Sequence, residues 1–226
     1  MHTQTMTARP SQARPAPVMT RPLPQVPGET VELMGAVMPF ARNAEIYGDN
    51  EPADYLYKVV SGAVRTYRVL SDGRRQIGAF YLPGDVFGIE VGDRHTFSAE
   101  SIVDSKVMLI KRSSLLALAS RSADVARQLW TMAATELQRS QNHTMLLIKT
   151  AQERVAGFLL EMAKRTPCAN AVELPMSRQD IADYLGLTIE TVSRTLTQLE
   201  NSAAIAVPTS RRIVLRNQAA LSRLNG

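Results

Sequence analysis

One cysteine, Cys168, stands among 226 residues. A lone thiol forms no intramolecular disulfide, and it excludes a zinc or iron–sulfur site built from several thiolates of this chain. It agrees with a reducing compartment. Histidine is nearly as scarce: His2, His95 and His143 are scattered, without metal-ligand spacing. No G-x-S-x-G, P-loop or H-E-x-x-H occurs. Nothing in these absences suggests an enzyme, a metal site or a bound cofactor. The chain also lacks an apolar run of membrane-span length, and its start lacks a signal-peptide core. A soluble, cytoplasmic protein with no membrane partner is the expectation.

What is present is enough for a core. Hydrophobic residues make up 45% and charged residues 21%, so a wholly disordered chain is excluded. The net charge of +5 is uneven. Residues 1–27 carry three arginines and no acid; residues 28–149 balance; residues 150–226 carry an excess of two positive charges. Such an excess permits a polyanionic partner without demanding one.

Residues 1–27 hold six of the twelve prolines and no periodicity, and read as a disordered arm. The arm either touches DNA or a partner, or is an unconstrained terminus. The segment 28–121 has a different texture. From Tyr55 to Ile110, short β-prone runs alternate with turn signals; Gly62, Gly73 and Gly84 are evenly spaced, and "SDGR" and "PGD" are turn chemistry. Short strands without intervening helices predict a small β-barrel or jelly roll. Residues 122–149 read as one long helix whose imperfect apolar stripe includes Val125, Leu129, Met132 and Leu137. That stripe is either a dimer seam or a face packed on the helix's own domain.

The segment 150–226 begins with a second amphipathic helix, "AQERVAGFLLEMAKR", and a short strand at "AVELP". Ser177 is placed to cap a helix with Asp180 three residues on. Gly186 falls where a left-handed residue belongs, and Thr188 caps the next helix. Helix, glycine turn, helix at this length is a helix-turn-helix. "AIAVPTSRRIVLR" then reads as two strands around a basic turn, a wing.

The second helix of that pair carries the chemistry. Ile189, Val192, Leu196 and Leu199 form one apolar seam. Glu190, Ser193 and Arg194, at i, i+3 and i+4, cluster elsewhere on its surface. In a helix-turn-helix the N-terminal part of this helix faces base edges in the major groove of double-stranded DNA. Arginine donates twice to guanine O6 and N7, glutamate accepts from cytosine N4, and serine serves several bases. Arg194 and Glu190, one turn apart, suit one G·C pair. Arg178, Thr188, Arg211 and Arg212 suit phosphates, which position without specifying. A plain solvated face is the alternative, disfavoured by the caps before it and the basic wing after it.

A glycine-punctuated roll, a linking helix and a winged reader together resemble the CRP/FNR family of bacterial transcription regulators over about residues 30–226. "LPGDVFG" and "RQDIADYLGLTIETVSRTLTQLE" carry the resemblance. The E-x-x-S-R of the second helix looks like the FNR/FixK branch, for which the family implies half-sites of the TTG…CAA type. The resemblance implies an α+β fold: an N-terminal β-roll like a cyclic-nucleotide-binding domain, a long dimerisation helix and a C-terminal winged helix-turn-helix. It implies a homodimeric regulator, mainly an activator, serving microaerobic or anaerobic metabolism and, in some bacteria, nitrogen fixation. It also implies that the turn 71–76, with Asp72, Arg74 and Arg75, is able to meet RNA polymerase; the alternative is a solvated hairpin.

Departures from the family limit the signal it senses. FNR-type oxygen sensors have an N-terminal cysteine cluster, absent here. Cyclic-nucleotide members have Gly-Glu and Arg-Ser pairs around the phosphate; here "FGIEVG" displaces Glu90 from its glycine, and His95-Thr96 stand in for Arg-Ser. Without that arginine a cyclic phosphate loses its bidentate partner. A roll without small-molecule effector is therefore expected. The rival is a regulator that depends on a nucleotide or haem. Cys168 follows Lys164 and Arg165, cations that lower a thiol pKa, so it is either a redox switch or an inert linker thiol.

Overall fold

The computed structural model describes residues 35–165 and 170–225. Eight strands open the described chain: β1 (Gly35–Phe40), β2 (Glu45–Tyr47), β3 (Tyr55–Ser61), β4 (Val64–Val69), β5 (Arg75–Tyr81), β6 (Val86–Phe87), β7 (Ser98–Ser101) and β8 (Ser105–Lys111). They form two antiparallel four-stranded sheets, ordered β1-β8-β3-β6 and β2-β7-β4-β5. This is the expected roll. Gly62, between β3 and β4, has a φ of +88°, and a Cβ there would lie 2.3 Å from Ser105 Oγ. Glycine alone meets both conditions. Inward side chains, among them Tyr47, Tyr57, Val59, Val64 and Phe87, fill the space between the sheets.

Two helices leave the roll: α1 (Arg112–Ala119), which sequence reading missed, and α2 (Ala123–Leu147). Ser122 caps α2, its hydroxyl accepting from the Val125 amide. With 25 residues α2 is about 38 Å long. It has two opposed faces. One holds Val125, Leu129 and Met132, which pack with Leu115 and Leu118 of α1 and with Ile110. Val125 is 1% exposed. These three side chains, expected along a dimer seam, are instead turned inward on their own roll. Leu137, the fourth residue of the expected stripe, is exposed, and Trp130, Met145 and Ile148 are exposed beside it. At 100° per residue, 130, 137, 145 and 148 fall on one stripe opposite Val125.

The C-terminal part contains α3 (Ala151–Arg165), β9 (Ala171–Glu173), α4 (Arg178–Leu185), α5 (Ile189–Asn201), β10 (Ile205–Ala206), β11 (Arg212–Leu215) and α6 (Gln218–Asn225). Its sheet runs β10-β11-β9, antiparallel throughout. Roll and reader share one core. Ala63, Ile77, Phe80 and Ile102 of the roll join Phe158, Leu159, Tyr184 and Leu185 of the reader. Phe80 lies 5.1 Å from Tyr184 and 6.2 Å from Phe158, centroid to centroid.

Candidate nucleic-acid interface

Local chemistry fixes the helix pair. Ser177 Oγ accepts from the Asp180 amide at 3.1 Å, and the Ser177 amide donates back to Asp180 Oδ2 at 3.0 Å, a complete capping box. Gly186 ends α4 at φ +61°, a left-handed turn. Thr188 caps α5, its Oγ1 accepting from the Thr191 amide at 3.2 Å. Val192, Leu196 and Leu199 are buried beneath α5. That burial holds the opposite face out: Glu190 and Arg194 are exposed and Ser193 is half-buried.

The charge at the start of α5 is set by its neighbours. The Glu190 backbone amide, the Thr188 hydroxyl and, less strongly, Arg194 hold the Glu190 carboxyl below the usual carboxylate range. It is therefore an ionised acceptor at neutral pH, the form that takes a hydrogen bond from cytosine N4. The positions assigned to phosphates differ among themselves. Arg178 donates to Ser193 Oγ at 3.3 Å, which ties the start of α4 to the reading face. Arg212 lies 3.5 Å from Glu173 Oε1, while the Arg211 guanidinium has no ion pair among the described residues. Thr188 uses its hydroxyl as a cap.

The hairpin tip carries a surprise. Asp72 and Arg74 lie on an exposed turn and pair with each other. Arg75 does not stand free. Its guanidinium reaches Asp180 at 2.7 Å and Asp183 at 2.8 Å on α4. Arg65 joins from β4, 2.8 Å from Asp180 and 2.9 Å from Glu100. Sequence reading missed this network: 115 residues separate Arg65 from Asp180, and the local pattern around Asp180 is fully explained by a cap. Cys168 lies outside the described residues.

Between the roll and α2 is a cavity of about 590 Å3 whose lining includes Tyr47, Glu90, Thr96, Glu136, Arg139 and His143. Glu90 accepts from the Thr96 amide and hydroxyl, so Thr96 offers a bound phosphate no free donor. Arg139, the lining arginine, is held by Asp85 at 2.8 Å and Glu136 at 3.2 Å. Two carboxylates beside one neutralised guanidinium do not suit a cyclic phosphate. Among the described residues, no group of His, Cys, Asp and Glu is placed to hold a metal, and no helix is long and apolar enough to cross a membrane.

A roll on a long helix, with a winged helix-turn-helix whose reading face is held open, defines a DNA-binding transcription regulator. Residues 153–224 match the Crp-like helix-turn-helix domain, and residues 37–122 match the cyclic nucleotide-binding domain. The nitrogen fixation regulation protein FixK of Azorhizobium caulinodans is 52% identical over 88% of this chain and 83% of its own length. The anaerobic regulatory protein of Pasteurella multocida is 30% identical over 83% of this chain and 71% of its own. The solved structure of FixK2 from Bradyrhizobium japonicum superposes with a TM-score of 0.82 at 54% identity, covering 85% of this chain and 98% of that one. The chain belongs to the CRP/FNR family of transcription regulators, in its FixK-like branch.

Proposed function

We propose that this regulator binds a palindromic promoter site of the TTG…CAA type as a homodimer, without a small-molecule effector, and acts mainly as an activator. The observation that carries this reading is the open face of α5: Glu190 ionised and exposed, with Arg194 one turn on. Arg194 on guanine and Glu190 on the paired cytosine read one G·C pair in each half-site. Arg211, Arg212, Arg178 and Thr188 hold phosphates. Homodimerisation is a matter of geometry: two readers must sit about 34–36 Å apart, and α2 offers the unpartnered stripe of Trp130, Leu137, Met145 and Ile148 for a second copy. Asp72 and Arg74, on their exposed turn, form the surface offered to RNA polymerase. Relatives named for nitrogen fixation and anaerobic regulation support a role in microaerobic or anaerobic metabolism.

The second reading, a regulator dependent on a nucleotide or haem, rests on the cavity beside α2. Titrating a TTG…CAA duplex with extensively dialysed protein, with and without cyclic AMP or haem, separates the two. Equal binding in all three conditions supports effector-free action; binding that needs an addition favours the sensor.

A further inference from the structure

The reader is held to the roll through a buried carboxylate whose two oxygens do different work. Asp180 Oδ2 accepts from the Ser177 amide at 3.0 Å and hydroxyl at 2.8 Å, and so fixes the first turn of α4. Asp180 Oδ1 accepts from Arg65 Nη1 at 2.8 Å and Arg75 Nη2 at 2.7 Å, both from the roll. Arg75 Nε donates to Asp183 Oδ2 one turn further along α4, at 2.9 Å. Arg65 is itself anchored on Glu100 at 2.9 Å. Gln76 Nε2, beside Arg75 on β5, donates to the Tyr184 carbonyl at 3.4 Å. The Asp180 side chain is only 4% exposed.

We infer that this clamp, Arg65 and Arg75 of the roll on Asp180 and Asp183 of α4, sets the half-site spacing that the regulator accepts. Buried ion pairs add little net stability relative to apolar groups of the same size, but forked arginine bonds permit few relative orientations. The apolar part of the junction is non-directional and does not fix an angle by itself. The clamp joins the start of α4 to β4 and β5. The roll is in turn joined to α2 by the Tyr81 hydroxyl on Glu136 at 2.7 Å and by Arg139 on Asp85. Each α5 is thereby held at one angle and distance from the α2 seam. Moving one half-site by a base pair shifts it about 3.4 Å and turns it about 34–36°. A reader with the full clamp does not adjust to that shift; one that has lost Arg75, held by the apolar core and by the remaining polar contacts of Arg65 on Asp180, Arg165 on Asp85 and His143 on the Tyr184 carbonyl, adjusts part of the way. Arg65 and Arg75 are positioning residues, since they act on DNA through Asp180 and Asp183.

This inference rests on the homodimer reading, and the test separates the two. Affinities of the full chain are measured for palindromes with half-sites at the preferred separation, at one base pair more and at one less, and for a single half-site. The proteins are wild type, Arg75→Ala and Arg75→Lys, each checked for an unchanged circular dichroism spectrum. Wild type is expected to lose about tenfold or more on either altered spacing, comparable to losing one base pair's readout. Arg75→Ala is expected to keep binding at the preferred spacing but to lose less than about threefold on the others, with Arg75→Lys in between. An Arg75→Ala profile parallel to wild type, whether at full or uniformly weakened affinity, overturns the clamp. A wild type that binds one half-site as tightly as a palindrome overturns the homodimer reading, and the clamp's role with it.

Discussion

Glu190, Arg194 and Arg212 are all charged side chains of the reader, yet their removal has different consequences. On the proposed reading, Arg194→Ala and Glu190→Ala each leave one base of a G·C pair without its partner. Discrimination at that pair is expected to fall by about 1–3 kcal/mol while other positions hold. Arg212→Ala is expected to weaken binding to every sequence and to lower the salt dependence by about one counterion. Competition titrations with single-pair operator variants check this; equal relaxation by all three variants contradicts the assignment. His143 makes a second residue-level prediction. It stacks on Tyr184 at 3.9 Å and bonds its carbonyl at 2.8 Å. Burial pushes its pKa below the ordinary value of 6.5, although the bond to Tyr184 opposes the shift. On acidification the unfolded chain therefore takes up the proton first. The stability contributed by neutral His143 is full above about pH 6.5 and is lost as pH falls from there through the lower folded value. Melting curves from pH 7.5 to 5.5 are expected to fall less steeply for His143→Gln than for wild type; parallel slopes would contradict it. The placement of Glu190, Ser193 and Arg194 on the outer side of α5 was legible in the sequence, because a helix cap and an apolar seam fix which way they point. Arg75 was not, because its partners lie more than a hundred residues away.

At the scale of the element, α2 has one apolar face packed on its own roll and another that is exposed, the face proposed for a second copy. Trp130, 75% exposed, and Leu137 lie on the outer face. Trp130→Glu/Leu137→Glu is expected to give folded monomers with weak operator affinity by sedimentation and titration. Val125→Ala is expected to leave the dimer intact and to cost roughly 1–3 kcal/mol in denaturant unfolding, since it opens space against Leu115 and Leu118. The reverse pattern would exchange the two faces. Sequence periodicity found α2 but mixed its faces, because both are apolar and each stripe is interrupted: Glu136 and Arg139 fall among the inward positions, Gln141 among the outward. The sharp signals were all local. Ser177, Gly186 and Thr188 marked the ends of α4 and α5 correctly, since cap and left-handed turn depend on neighbouring residues. β1, β2, α1 and α6 were not read. β2 has three residues, α1 begins without a side-chain cap at Lys111, and each is held by tertiary packing.

For the whole molecule, the order of parts was legible in the sequence: strands, a long helix, a winged reader. Their union was not. Phe80 meeting Tyr184, and Arg65 meeting Asp180, are pairings between distant segments that no periodicity encodes. They make the roll a mount for the reader. The cavity beside α2 is lined by Glu90 and Glu136, and its arginine, Arg139, is paired with Asp85 and Glu136. The claim that binds these scales together is that two copies, unaided, read one two-fold DNA site. Sedimentation of dialysed protein with a single TTG…CAA duplex, monitored at two wavelengths, measures it directly. The account predicts one complex of two chains per duplex, formed without added ligand. A complex of one chain per duplex, or none until a ligand is supplied, would contradict it.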